Sequence, residues 1–223
     1  MTRMPMRIAM LLAAMLVAWQ PSIAHANPED TQFWLVGFVR GKPADDIYLT
    51  IDTSYRWRDP VFGADQQTIR ATVEKAVSDD IRLGGGLAFF QTGSSEFAAR
   101  LHQRPHQQFR FTRGGLDLRT RFEQRFFDGA EQVELRIRQR VQYTHPIAPG
   151  IEALGSVEWF GIVQPRERSR TGGTEQVRNI VGLAIDLSEN LDISPSYMLQ
   201  VTPRVDSPDA ISHVPQITLN YRF

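Results

Sequence analysis

From about residue 46 onward, apolar and polar side chains alternate with a period of two. Ile47, Leu49, Ile51, Thr53, Tyr55 and Trp57 interleave with Tyr48, Thr50, Asp52, Ser54 and Arg56. Leu116, Leu118, Thr120, Phe122, Gln124 and Phe126 do the same against Asp117, Arg119, Arg121, Glu123 and Arg125. Val133, Leu135, Ile137, Gln139, Val141 and Tyr143 repeat it against Glu134, Arg136, Arg138, Arg140 and Gln142. Side chains of a strand point alternately to opposite faces, so each segment has one apolar and one polar face, whereas a helix would mix the two sets. Alternating segments of about ten residues, split by turns, are the pattern of a transmembrane β-barrel.

The pattern predicts strands over 31–40, 46–58, 66–77, 80–91, 97–111, 115–127, 131–144, 149–163, 174–187, 190–203 and 211–223. Short turns are expected at Ser78-Asp79-Asp80, Thr112 to Gly114, His145 to Gly150 and Ser188-Glu189-Asn190, with longer polar links at 59–65, 164–173 and 204–210. Short and long connections alternate along most of the chain, as periplasmic turns and external loops do in an up-and-down antiparallel barrel. Bacterial single-chain barrels have an even number of strands, and these candidates number eleven. The weakest is 31–40, apolar on one face through Trp34, Val36 and Phe38 and on the other through Phe33, Leu35 and Val39. It is expected to plug or cover the barrel, leaving ten strands; a break missed elsewhere would instead make twelve.

Alternation does not say which face is inside. A soluble lipocalin-like carrier would turn its apolar face inward, and three features favour the opposite. Aromatic residues on the apolar face gather at strand ends: Tyr55, Trp57, Phe89, Phe126 and Trp159 towards the long links, Phe109, Phe111, Tyr143, Tyr221 and Phe223 towards the short turns or the C-terminus. Such groups would form two interfacial girdles. The polar face is rich in arginine, which suits bidentate pairing with carboxylates in a confined lumen. The last strand ends in phase on Tyr221 and Phe223, like the C-terminal signal by which outer-membrane barrels are recognised for assembly.

Residues 1–26 read as a secretory signal: Arg3 and Arg7, an apolar stretch from Ile8 to Trp19, and a small-x-small site at Ala24-His25-Ala26. That stretch is shorter than the roughly 20 residues a membrane-spanning helix needs. The expectation is a Sec-exported chain with a single barrel domain over 27–223, in the outer membrane of a Gram-negative bacterium. Its partners would be outer-membrane lipid and the β-barrel assembly machinery, and it is expected to be a monomer. The 223 residues carry 25 basic and 25 acidic groups, which disfavours a general polyanion binder, nucleic acid included. The absence of cysteine excludes disulfides, thiolate metal sites and thiol nucleophiles. Only Lys42 and Lys75 are lysines.

Arg104-Pro105-His106-Gln107-Gln108, the stretch Leu116 to Phe126 and the ladder Glu134-Leu135-Arg136-Ile137-Arg138-Gln139-Arg140 resemble the core of DUF2490, a bacterial family of unknown function. Phe33-Trp34 and the closing Tyr221-Arg222-Phe223 fit it too. The resemblance implies an outer-membrane β-barrel and no established activity, and it supplies no catalytic residues.

The densest chemistry falls on three consecutive polar faces. They carry Arg100, His102, Arg104, His106, Gln108 and Arg110, then Asp117, Arg119, Arg121, Glu123 and Arg125, then Glu134, Arg136, Arg138 and Arg140, a net +6 with histidine neutral. Side chains about 5 Å apart on neighbouring strands would repel if unpaired. Counter-charges are expected from Asp117, Glu123 and Glu134, and across the lumen from Asp52, Glu74, Glu158 and Asp186. Two readings follow: a structural salt-bridge network filling a narrow barrel, or an Arg-lined lumen that passes or binds small anionic solutes. Catalysis is not expected, because no serine sits in a nucleophile motif near His102 and His106. Neither a metal nor another cofactor is expected, since His102 and His106 stand roughly 13 Å apart on a strand. Gly84-Gly85-Gly86 is expected to mark a bend or close packing in the wall.

Overall fold

A computed structural model describes residues 29–61, 63–93 and 100–223. The expected signal segment, 1–26, lies outside the described residues. The strands, in chain order, are β1 (Glu29–Thr31), β2 (Phe33–Ala44), β3 (Ile47–Trp57), β4 (Gln66–Ala76), β5 (Ile81–Thr92), β6 (Arg100–Arg113), β7 (Leu116–Arg125), β8 (Glu134–Ala148), β9 (Ile151–Gln164), β10 (Gly173–Asp186), β11 (Leu191–Thr202) and β12 (Ala210–Arg222). Each pairs with its sequence neighbours from β2 to β12, and β12 pairs back onto β2, so the sheet closes on itself. β1 and β2 pair with β12 in one continuous register, Glu29 opposite Ile211 and Trp34 opposite Gln216, and act as a single strand interrupted at Gln32. The wall therefore has eleven strands.

That number corrects two expectations. Segment 31–40 is not a plug, and the strand count is not even. Its two apolar faces have separate tasks: Phe33, Leu35 and Val39 point outward, while Trp34 and Val36 pack inside against Met198, Val214 and Ile180. An odd count forces one parallel seam. β12 runs parallel to β1 and β2 while every other neighbouring pair is antiparallel, so the barrel is not purely antiparallel. The chain consequently enters the wall at the rim of the long loops and leaves it at the rim of the short turns. At the seam, the Phe223 amide donates to the Arg40 carbonyl at 3.0 Å. The Phe223 ring fills the space where a side chain on Gly41 would sit.

The faces separate as the alternation predicts, with the polar face inward. Glu74, Arg121, Glu123, Arg138 and Glu158 are buried inside, whereas Leu35, Ile69, Val73, Val141, Val181 and Leu219 are exposed on the outer surface. Of the aromatic groups expected at the two rims, Trp57, Phe126 and Trp159 are exposed at one end and Phe109, Tyr221 and Phe223 at the other. The turn expected over His145–Gly150 is shorter. β8 continues to Ala148 through a register shift between Pro146 and Ala148, where a missing proline N–H is tolerated, and the turn is made at Pro149-Gly150.

The Gly84-Gly85-Gly86 run lies in β5 against β4. A Cβ on Gly86 would meet the Ala71 carbonyl, and the His106 ring at 2.9 Å; one on Gly84 would meet the Val73 carbonyl. Close strand approach, not backbone freedom, requires glycine here. Gly86→Val is expected to lower stability by about 1–3 kcal/mol, the usual cost of overpacking. Gly155→Ala, with open space around the added methyl, should leave stability unchanged. Urea unfolding followed by tryptophan fluorescence checks both.

Candidate functional site: the arginine-lined lumen

Strand register sets like charges opposite one another inside the barrel. Arg119 on β7 faces Arg110 on β6 and Arg140 on β8, and Arg121 faces Arg138. Directly opposed like charges destabilise a sheet, so each guanidinium reaches past its neighbour for a carboxylate. Glu158 on β9 accepts from Arg119 at 2.7 Å and from Arg138 at 2.9 and 3.0 Å. Glu123 accepts from Arg138 at 2.8 Å and from two nitrogens of Arg136. Arg121 donates to Gln108 Oε1 at 2.9 and 2.6 Å, and Gln108 in turn donates to Glu74 at 2.8 Å. Arg140 reaches Asp117 at 2.6 Å, Arg110 lies between Asp117 and Glu74 at 3.6 and 3.7 Å, and Arg70 faces Asp52 at 3.5 Å. Asp52, Glu74 and Glu158 thus supply counter-charge as expected. Asp186 does not: it is exposed at the short-turn rim, 3.6 Å from Arg222.

Nearer the long-loop rim, guanidiniums and aromatic rings alternate around the lumen. Arg104 lies 3.6 Å from the Phe90 ring centroid, and Arg56 lies 5.7 Å from Phe90 and 4.0 Å from Trp34. Arg178 lies 5.0 Å from Trp34 and 4.6 Å from Phe160, and Arg136 lies 5.2 Å from Phe160. Glu175 bridges Arg136 and Arg125 at 2.7 and 2.6 Å, and Phe127 connects Arg125 back to Arg104 at 5.0 and 6.0 Å. This belt crosses β2, β3, β5, β6, β7, β8, β9 and β10 and closes the circle.

One arc of the belt is neutralised and the other is not. Arg125 and Arg136 share Glu175, and each has a further carboxylate, Glu134 for Arg125 and Glu123 for Arg136. Among the described residues, Arg56, Arg104 and Arg178 have no carboxylate within ion-pair distance. Arg56 donates only to Gln66, and Arg178 only to Gln176, while Arg104 has ring contacts alone. Ring stacking stabilises a desolvated cation by about 0.5–2 kcal/mol, less than the several kcal/mol that removing it from water costs. The uncompensated arc is held by stacking and remains electropositive.

A cavity of about 600 Å³ runs beside the salt-bridge network, lined chiefly by β2, β3 and β8 to β12. It touches Arg58, Gln66 and Thr202 near the long-loop rim and Thr144, Glu152 and Arg222 near the other. The same space is bordered by Arg56, Arg104, Arg125, Arg136, Arg138, Arg140 and Arg178.

Of the sequence candidates, His106, Arg119, Arg121, Glu123, Glu134, Arg136 and Arg138 are buried inside, with Arg104, Arg110, Arg125 and Arg140 partly so. The side chain of Arg100 lies outside the described residues. His102 stands 4.9 Å from the Phe127 ring, and His106 Nε2 is 3.1 Å from Thr72 Oγ1. Sequence reasoning missed Arg56, Arg178, Glu175 and the three rings Trp34, Phe90 and Phe160. Arg56 and Trp34 were legible as inward-phase residues, and register sets them opposite each other. Among the described residues, no cluster of three histidine or carboxylate side chains has the arrangement to hold a metal ion.

Removing a node of the network should be costly, because buried guanidiniums would lose their partner. Glu158→Ala is expected to destabilise the barrel by about 3–5 kcal/mol. Glu167→Ala, which breaks the exposed Arg166–Glu167 pair, should change stability by less than about 1 kcal/mol. Urea midpoints of the two variants, measured side by side, test the contrast.

An uncharacterised protein of Methylorubrum extorquens (strain AM1) is 24% identical over 223 residues, covering 96% of this chain and 97% of the relative. The family described as a protein of unknown function, DUF2490, matches residues 31–210, from the start of the closing strand to the start of β12. That span contains the salt bridges around Glu123 and Glu158 and the cation–aromatic belt, and the chain belongs to the DUF2490 family.

Proposed function

We propose that this protein is exported, spans the outer membrane of a Gram-negative bacterium as a monomeric barrel, and gives small anionic solutes a narrow passage through its lumen. The observation that carries the reading is the cavity bordered by residues of both rims and lined by guanidiniums, several of which, Arg56, Arg104 and Arg178 among them, have no carboxylate within ion-pair distance among the described residues. Rings of arginine favour anions in pores. An exterior that is apolar around the wall supports lipid as its surroundings, because contiguous apolar surface of that extent marks a membrane or protein interface. Tyr221 and Phe223, exposed on the final strand, are suited to recognition by the assembly machinery. A second reading, an envelope barrel closed by its own salt bridges, draws on the density of bonds around Glu123 and Glu158.

Conductance separates the two. Protein inserted in a planar bilayer under a KCl gradient should open steadily with anion preference, and Arg178→Glu should reduce that preference. A silent bilayer holding inserted protein would eliminate the passage and leave the closed barrel. Topology gives an independent expectation. With the short turns facing the periplasm, an epitope ahead of Glu29 should be reached by antibody on intact cells, and one after Phe223 only after permeabilisation. Equal accessibility of both tags would contradict the odd-stranded wall in the membrane.

A further inference from the structure

We infer that the uncompensated arc of the belt, formed by Arg56, Arg104 and Arg178, is a binding site for one compact oxyanion, a phosphate or carboxylate group of a small solute. The inference rests on the lumen being open to anions and assigns where along it they dwell. Stacking explains why the arc is suited to this. Phe90 lies under Arg104, and Trp34 is shared by Arg56 and Arg178, so the rings hold the three guanidiniums in place without an ion pair. Of the in-plane N–H groups, which form the fork that recognises carboxylate and phosphate, Arg56 gives one to Gln66 and Arg178 gives its Nε–H to Gln176, and the others are left for a ligand. The Nε groups of Arg56 and Arg104 have no hydrogen-bond acceptor among the described residues.

Electrostatics point the same way. The charges of Arg178 and Arg104 both bear on Arg56, so the middle cation of the arc is repelled from both sides. The opposite arc solves the same problem internally with Glu175, which Arg125 and Arg136 clasp at 2.6 and 2.7 Å. An oxyanion on the open arc would complete by ligand what Glu175 completes by sequence. All three arginines border the cavity, so a solute reaches them from the lumen.

A structural salt bridge and a ligand site respond oppositely to neutralisation. In phosphate-free chloride buffer, protein folded in detergent and carrying Arg104→Gln or Arg56→Gln should be at least as stable as the wild type, because repulsion is relieved. Inorganic phosphate should raise the wild-type unfolding temperature in a saturable manner. Calorimetric titration should give a Kd for phosphate that rises at least tenfold in either variant. Arg204→Gln, the same charge change in an exposed loop, should bind as the wild type does. The site is overturned if phosphate binding is absent, if it survives both variants, or if both variants destabilise the protein in the manner of Glu158→Ala. The bilayer result is read separately. Conductance with phosphate binding unaffected by these variants removes the site and keeps the passage, whereas phosphate binding in a silent barrel keeps the site and removes the passage.

Discussion

The lumen must accommodate more guanidinium charge than its carboxylates can neutralise, and much of the structure follows from that surplus. Cross-strand register puts Arg110, Arg119 and Arg140 side by side, and Arg121 beside Arg138. Such an arrangement is tolerable only where a carboxylate is shared between cations on different strands. Glu158 does this from β9 by binding Arg119 of β7 and Arg138 of β8, and Glu123 on β7 holds Arg136 and Arg138 of β8. The bonds that neutralise the lumen are therefore also bonds across the barrel, and they fill the β6 to β9 side with side chains. The cavity is left beside them, towards β2, β11 and β12, where Trp34, Met198 and Val214 form an apolar cluster on the wall.

The parallel seam belongs to the same arrangement. Eleven strands close only if one pair runs in the same direction, and that pair is β12 with β2. The inner side of β2 is apolar at Trp34 and Val36, and its only charge facing the lumen among the described residues is Arg40 near the short-turn rim. Trp34 instead becomes a platform for Arg56 and Arg178, and its indole N–H is satisfied by Gln32 at 2.9 Å. The residue that made β2 look unlike a barrel strand is the one that supports the cationic arc.

Much of this was legible from period two alone. Alternation located the strands, separated the faces and placed Arg119, Arg121, Arg136 and Arg138 together, because neighbouring strands in an up-and-down sheet are neighbours in sequence. Closure was not legible. The pairing of β12 with β2 spans nearly the whole chain and leaves no local mark, and a strand apolar on both faces reads as something other than wall. The cross-lumen carboxylates Asp52, Glu74 and Glu158 were expected, but the partners of Trp34 were hidden for a related reason. Arg56 and Arg178 are isolated arginines on strands far apart in sequence, and only the closed circle brings them to one indole. Glu175 was concealed by a defect in the pattern. The register shift between Thr174 and Gln176 lets it turn towards Arg125 and Arg136 from a position that strict alternation assigns to the outside.

The two arcs of the belt hold their guanidiniums by different means. Where carboxylates complete the pairing, the guanidiniums are fixed by short bonds and contribute to the wall. Where aromatic rings replace carboxylates, the guanidiniums are still held in place, yet the charge is not neutralised. Stacking restrains a guanidinium through its face, and ion pairing consumes its edge. Arg104 over Phe90 and Arg138 clasped by Glu123 and Glu158 are the two extremes in this lumen. A barrel made only of the second kind would be stable and closed to anions. The rings on β2, β5 and β9 hold part of the charge in place without cancelling it, and that part faces the cavity.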